Sequence, residues 1–180
     1  MHIRMFFFVV ILMFLSGCAT METPCVSKPV IKVVASDGRF IAYEDGTVLD
    51  KQTHLMWASK DNGSDITPAA AKFYCENYRA GGYNDWRMPT LDELESLYDE
   101  GKSRQANCYD GKNIHVATAL IDLTCFYSWA SETSMTTNES AIFNFGAGIR
   151  TGFAIRWNRL SRVLPVRSAF PLLYFSDNTP

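Results

Sequence analysis

Hydrophobic residues are distributed along this chain in three patterns, and each predicts a different kind of segment. Phe6 to Leu15 is an unbroken apolar run behind the short positive start Met1-His2-Ile3-Arg4-Met5. A bilayer-spanning helix needs about 20 apolar residues and this run has about half that, so it reads as the core of a signal peptide over residues 1–17. A helical period follows further on. Ala71, Tyr74, Cys75 and Tyr78 fall at i, i+3, i+4 and i+7 behind Thr67 as N-cap and Pro68 as first helical residue, with Gly81-Gly82 as the stop. Leu91, Leu94, Leu97 and Tyr98 repeat the stripe behind a Thr90/Glu93 capping box, and Gly101 ends it. The third pattern is alternation. Ile149, Thr151, Phe153, Ile155 and Trp157 interleave with Arg150, Gly152, Ala154, Arg156 and Asn158, which predicts a strand with one apolar face.

Other strand-like stretches are Val30 to Val34, Phe40 to Tyr43, Thr47 to Leu49 and His54 to Trp57, the last two flanking a turn at Asp50-Lys51-Gln52-Thr53. Phe143 and Phe145 precede a Gly146-Ala147-Gly148 turn, and Val163 to Val166 reads as a last strand in which Pro165 marks an edge or bulge. Residues 101–124 are irregular. Two short helices among antiparallel sheets make an α+β domain.

The string Leu15-Ser16-Gly17-Cys18 matches the bacterial lipobox, so Cys18 is expected to be the lipidated first residue of the mature protein. Residues 18–29, with Pro24 and Pro29, read as a tether, and residues 30–180 as a single domain. Ala19 after the cysteine resembles the class sorted to the outer membrane. The expected location is therefore the cell envelope, with the membrane engaged through the lipid.

Loss of residues 1–17 removes one arginine and no acid, moving the net charge from −2 to −3. A mildly acidic chain gives no electrostatic reason to expect a nucleic-acid partner. With Cys18 lipidated, Cys25, Cys75, Cys108 and Cys125 remain, an even number in an oxidising compartment. Three pairings can be drawn. Cys108 with Cys125 is favoured because they bracket a polar, glycine-containing loop, and Cys25 would then join Cys75. No CxxC or HxxxH spacing suggests a metal site, and no motif suggests a cofactor or a catalytic group.

The string Tyr83-Asn84-Asp85-Trp86-Arg87-Met88-Pro89-Thr90, running into Leu91-Asp92-Glu93-Leu94, is the most specific in the chain. With Gly46 to Asp50, Trp57-Ala58 and Val163 to Arg167, it resembles the DUF1566 family, also called the Lcl C-terminal domain family after the collagen-like adhesin of Legionella. The resemblance spans roughly residues 40–168. Its Arg-Met-Pro-Thr-x-x-Glu core also resembles the formylglycine-generating sulfatase-modifying enzymes, and both families imply a C-type-lectin-like fold. Those enzymes use paired cysteines close to the C-terminal strands, whereas no cysteine follows Cys125 here.

The residues of the string have a scaffold role on their own chemistry. Pro89 sets the entry into the helix, Thr90 caps it, Trp86 fills a core pocket, and Arg87 can make a bidentate pair with Glu93 or Glu95. The resemblance implies a binding module for a glycan or an envelope protein. In the Legionella adhesin the matching domain is associated with sulfated glycosaminoglycans, which directs attention to Arg150, Arg156, Arg159 and Arg162 in a stretch, Ala141 to Phe175, that carries no acid. These arginines can equally pair with the acidic helix around residues 92–100. A structural subunit of an envelope assembly and a sulfatase-modifying-type oxidase are the alternatives.

Overall fold

The computed structural model describes residues 31–108, 112–133, 140–153 and 161–169. The signal peptide, Cys18, Cys25, the tether, Arg156 and Arg159 lie outside the described residues. All described residues fall in one compact unit, Ile31–Pro180.

The first sheet is an antiparallel meander of β1 (Val33–Asp37), β2 (Phe40–Tyr43), β3 (Thr47–Asp50) and β4 (Leu55–Ala58). The last strand, β11 (Val166–Ser168), pairs with β4 and completes the order β1-β2-β3-β4-β11. β3 and β4 are buried along their whole length because both faces are covered. Val48, Leu55 and Trp57 enter the main core, while Leu49 and Met56 pack on Trp86 and Ala169 on the opposite face. The β2–β3 turn passes through Gly46 at φ +80°, a left-handed conformation that favours glycine. In the β3–β4 turn the Asp50 carboxylate accepts the Gln52 amide at 3.0 Å.

The second sheet has the order β10-β7-β8-β9. Its strands are β7 (Tyr127–Thr133), β8 (Ser140–Asn144), β9 (Ile149–Phe153) and β10 (Ser161–Arg162). β10 runs parallel to β7, an exception to the antiparallel expectation. β7 is the strand that periodicity misses, since Ser128, Trp129 and Ala130 are buried in succession with no alternation to read. β5 (Arg104–Gln105) and β6 (Asn113–Ile114) form a two-residue ladder inside the irregular stretch.

Helix α1 spans Pro68–Glu76 and α2 spans Leu91–Ser96. Thr67 Oγ1 accepts the Ala70 amide at 3.3 Å, and the Thr90/Glu93 capping box is complete. α1 ends before the glycine stop. Asn77 closes it by donating both its backbone N–H and its side-chain amide to the Phe73 carbonyl, and Gly81-Gly82 belong to a separate 3-10 turn, Ala80–Gly82.

Two strand expectations need correction. The apolar face of β9 is not uniformly buried: Ile149 is 54% exposed, because β9 has β8 on one side and starts at a turn. Val163 to Val166 is not one strand either. Ser161–Arg162 belongs to the second sheet and Val166–Ser168 to the first, and Val163-Leu164-Pro165 cross between them. Pro165 has no N–H for a ladder. The crossing is instead pinned by Val163 N–H to Asn62 Oδ1 at 2.8 Å and by Ala58 N–H to the Pro165 carbonyl at 3.0 Å.

Candidate functional site

The most specific sequence string folds into a contact between α2 and the last strand. Arg87 and Val166 exchange backbone hydrogen bonds of 2.9 and 3.0 Å. The Arg87 guanidinium forks onto Glu93, Nη1 to Oε2 at 2.7 Å and Nη2 to Oε1 at 2.6 Å, so the partner is Glu93 and not Glu95. Burial acts to raise the Glu93 pKa, but the Arg87 and Thr90 bonds outweigh it and hold the carboxyl below its ordinary value. Trp86 is buried, donates Nε1–H to the Ala80 carbonyl at 3.2 Å and meets Tyr78 edge-on at 5.0 Å. Trp57 is fully buried, and Pro89, also buried, accepts the Ser131 amide at 2.8 Å.

Asp85 and Arg167 tie the family string to the last strand. Arg167, 4% exposed, donates to both Asp85 oxygens at 2.6 and 3.0 Å and stacks its guanidinium 3.8 Å from the Tyr83 ring centre. The hydrogen bond from Arg167 holds the Asp85 carboxyl below the usual carboxylate range.

The arginines considered for anionic ligands do not assemble into one patch among the described residues. Arg150 is exposed, but its guanidinium is paired with Asp92 and Glu95 of α2. Arg162 is 8% exposed and faces inward, donating Nε–H to Thr124 Oγ1 at 3.1 Å and pairing with Asp65. Thr124 in turn is bonded to buried Asp61, whose pKa is raised by desolvation despite bonds from Thr124 and Gly63. Opposite charges close to each guanidinium are the physical reason: both arginines already have carboxylate partners.

The cysteines divide in the same way. Cys108 and Cys125 are bridged, with Cα atoms 5.3 Å apart. The expected Cys25–Cys75 bridge is corrected: Cys75 is a free thiol on the buried face of α1, in a cluster with Ala71, Trp129, Ile142 and Val163. Burial pushes this thiol up to about 12, which makes it a packing group and a poor nucleophile. Helical spacing put Cys75 on the inner face, and that is where apolar packing rather than a bridge occupies it.

Two of the open grooves among the described residues border the second sheet away from α1. One, of about 390 Å³, runs past Glu132, Thr151 and Arg150 beside the start of α2. Glu132 is committed there to the Leu91 amide, which both its oxygens accept at 2.9 and 3.1 Å. The other, of about 370 Å³, lies where three chain segments meet: Lys112-Asn113, Phe126-Tyr127 and the β8–β9 turn from Asn144 to Ala147. Phe145 N–H to the Phe126 carbonyl at 2.7 Å and His115 N–H to the Phe145 carbonyl at 2.9 Å lock these segments together. The Cys108–Cys125 bridge fastens the chain beside one of them, since Phe126 follows Cys125 directly.

Gly146 keeps the floor of this second groove open. A Cβ there would stand 3.2 Å from Asn144 Oδ1 and 3.3 Å from the Asn113 carbonyl. Sequence reasoning noticed the Gly146-Ala147-Gly148 turn but not the groove, because Asn113, Tyr127 and Asn144 share no motif. Among the described residues, no group of three His, Cys, Asp or Glu side chains is placed to hold a metal ion.

These features define a small, disulfide-bridged α+β domain whose first and last strands share one sheet and whose second sheet carries open grooves. The chain belongs to the Lcl C-terminal domain family, whose model matches residues 46–167. The match runs from the β2–β3 turn to Arg167, so it takes in both partners of the Asp85–Arg167 pair. No curated protein matches the chain.

Proposed function

We propose that the protein is a lipid-anchored binding module of the cell envelope, held at the outer membrane through Cys18 and recognising a glycan or another envelope protein. The observation that carries this reading is the groove between Asn113, Tyr127 and the Asn144–Ala147 turn. Rigid segments on three sides, aromatic walls and a few polar groups are the ingredients of a recognition site for a small ligand or a protruding chain. The lipobox at Leu15 to Cys18 and the lectin-like shape implied by the family resemblance support the same reading. The module is non-enzymatic in this reading. Cys75 is buried with its thiol pushed up to about 12, which argues against it as a nucleophile.

The test uses the full chain purified in mild detergent, on a glycan array and in a pull-down from envelope extract. Capture of either a defined glycan or a stoichiometric protein supports the module. Capture of neither ends it. Adduct mass analysis of the same preparation checks the anchor: acyl mass on Cys18, absent from Cys18→Ser, is the expected result.

A structural role in an envelope assembly is the second reading, favoured by Val33 and Val34, 52% and 56% exposed on β1. β1 stands at the margin of its sheet, where an unpaired strand edge can accept another chain. A stoichiometric protein partner that Val33→Asp releases and Asn113→Ala does not would decide for it.

A further inference from the structure

The groove beside the β8–β9 turn has a chemistry different from that of the arginines. Its walls are the half-buried rings of Phe126 and Tyr127, set at 62° with centroids 4.5 Å apart. Its polar groups are the side-chain amides of Asn113 and Asn144, with the Lys112 ammonium at the rim. Asn144 Oδ1 already accepts the Gly146 amide at 2.8 Å, which orients the side chain and leaves its Nδ2–H₂ as the donor. Asn113 is exposed, and its side chain makes no hydrogen bond among the described residues, so it offers both a donor and an acceptor. No carboxylate lines the groove and its one charged group sits at the rim.

We propose that this groove is a binding site for an uncharged, N-acetylated pyranose unit. The proposal rests on the binding-module reading and names its ligand class. An aromatic wall takes the apolar face of a sugar ring and the acetamido methyl, while ring hydroxyls and the acetamido N–H and C=O need paired donors and acceptors. Asn113 Oδ1 can accept from the acetamido N–H, Asn144 Nδ2–H₂ can donate to a hydroxyl, and Lys112 donates at the rim. A sulfate or carboxylate would call instead for arginine forks; no arginine lines this groove, and Arg150, Arg162 and Arg167 are already engaged by Asp92, Glu95, Asp65 and Asp85.

The experiment is titration of the full chain in detergent with tri-N-acetylchitotriose, with maltotriose as the non-acetylated control, at about 0.05 and 0.5 M salt. The expected result is binding of the acetylated trimer alone, with an affinity changed less than about twofold by salt, because no ion pair with the sugar is involved. Asn113→Ala should weaken it about tenfold, equivalent to about 1.4 kcal/mol. Gly146→Val, which fills the floor, should abolish it. Asn113 is exposed, so its variant keeps the test decisive even if Gly146→Val fails to fold. Equal binding of maltotriose, or binding that both variants leave intact, would overturn the proposal while sparing the module. Absence of trimer binding also overturns it, and the envelope pull-down then shows separately whether the module reading stands.

Discussion

The contact between the Trp86–Glu93 segment and the last strand, and the groove beside the β8–β9 turn, are built from similar residues to opposite effect. Both combine aromatic rings with strong hydrogen-bonding side chains. In the first, Trp86, Arg87 and Arg167 point at partners within the domain: the Ala80 carbonyl, Glu93 and Asp85. In the second, Asn113 and Lys112 are exposed and their side chains have no such partners among the described residues. The lesson is that the residues that identify the family are the ones closing the fold, whereas the residues available to a ligand carry no recognisable signature.

Substitutions can sharpen or break this contrast. The largest effect is expected for Trp86→Ala, which empties a buried site between Leu49, Met56 and Ala169 and should cost about 3–5 kcal/mol by chemical denaturation. Removing the Cys108–Cys125 bridge, with a sequence separation of 17, should cost about 3 kcal/mol in the same assay. It should also loosen the groove, seen as faster amide exchange at Phe126 and Asn113. Arg87→Ala strips the fork from half-buried Glu93 and is expected to cost about 2 kcal/mol. A loss as large for Asn113→Ala, expected within about 0.5 kcal/mol, would erase the distinction between the two regions.

Acid should act mainly on the first region. The Glu93 and Asp85 carboxyls lie below their ordinary values in the folded protein. Their contribution to stability is therefore present above the unfolded pKa and is lost as the pH falls through the folded one. Asp61 has the opposite sign: its pKa is raised, so its contribution is present at low pH and declines as the pH rises through the interval between the ordinary and raised values. Thermal melts of wild type and Glu93→Gln between pH 7 and pH 3 should converge as Glu93 protonates. A constant gap would show that the fork does not depend on the charge of Glu93.

The way the chain encodes its fold explains why some of it was readable. The α2 capping box is four residues long, so Thr90 and Glu93 announce it locally, and Arg87 lies six positions from the Glu93 it grips. The β3–β4 hairpin is equally local. β7 was not readable, because a strand buried on both faces by Ser128, Trp129 and Ala130 has no alternation. Val163-Leu164-Pro165-Val166 reads as one strand because nothing in these residues shows that the segment crosses between sheets. Parity of count pairs Cys75 with Cys25, yet its position on the inner stripe of α1 describes a packing residue. Sequence alone offers Arg162 as an anionic-ligand candidate, whereas its burial against Thr124 and Asp65 depends on segments about 40 and 100 residues away in the chain.

By itself the sequence determined the short-range order of this protein: an apolar run before Cys18, two capped helices, the β2–β3–β4 meander and the family string that holds α2. Capping, turns and helical stripes act over a few residues, so their cause is visible in a few letters. Tertiary structure alone decided which arginines are already paired, which cysteine stays free, and where a groove opens. Those outcomes depend on which distant side chains the fold brings to a charge, a thiol or a gap. For Asn113, Tyr127 and Asn144, it is the packing of three separate segments around Gly146 that brings them together.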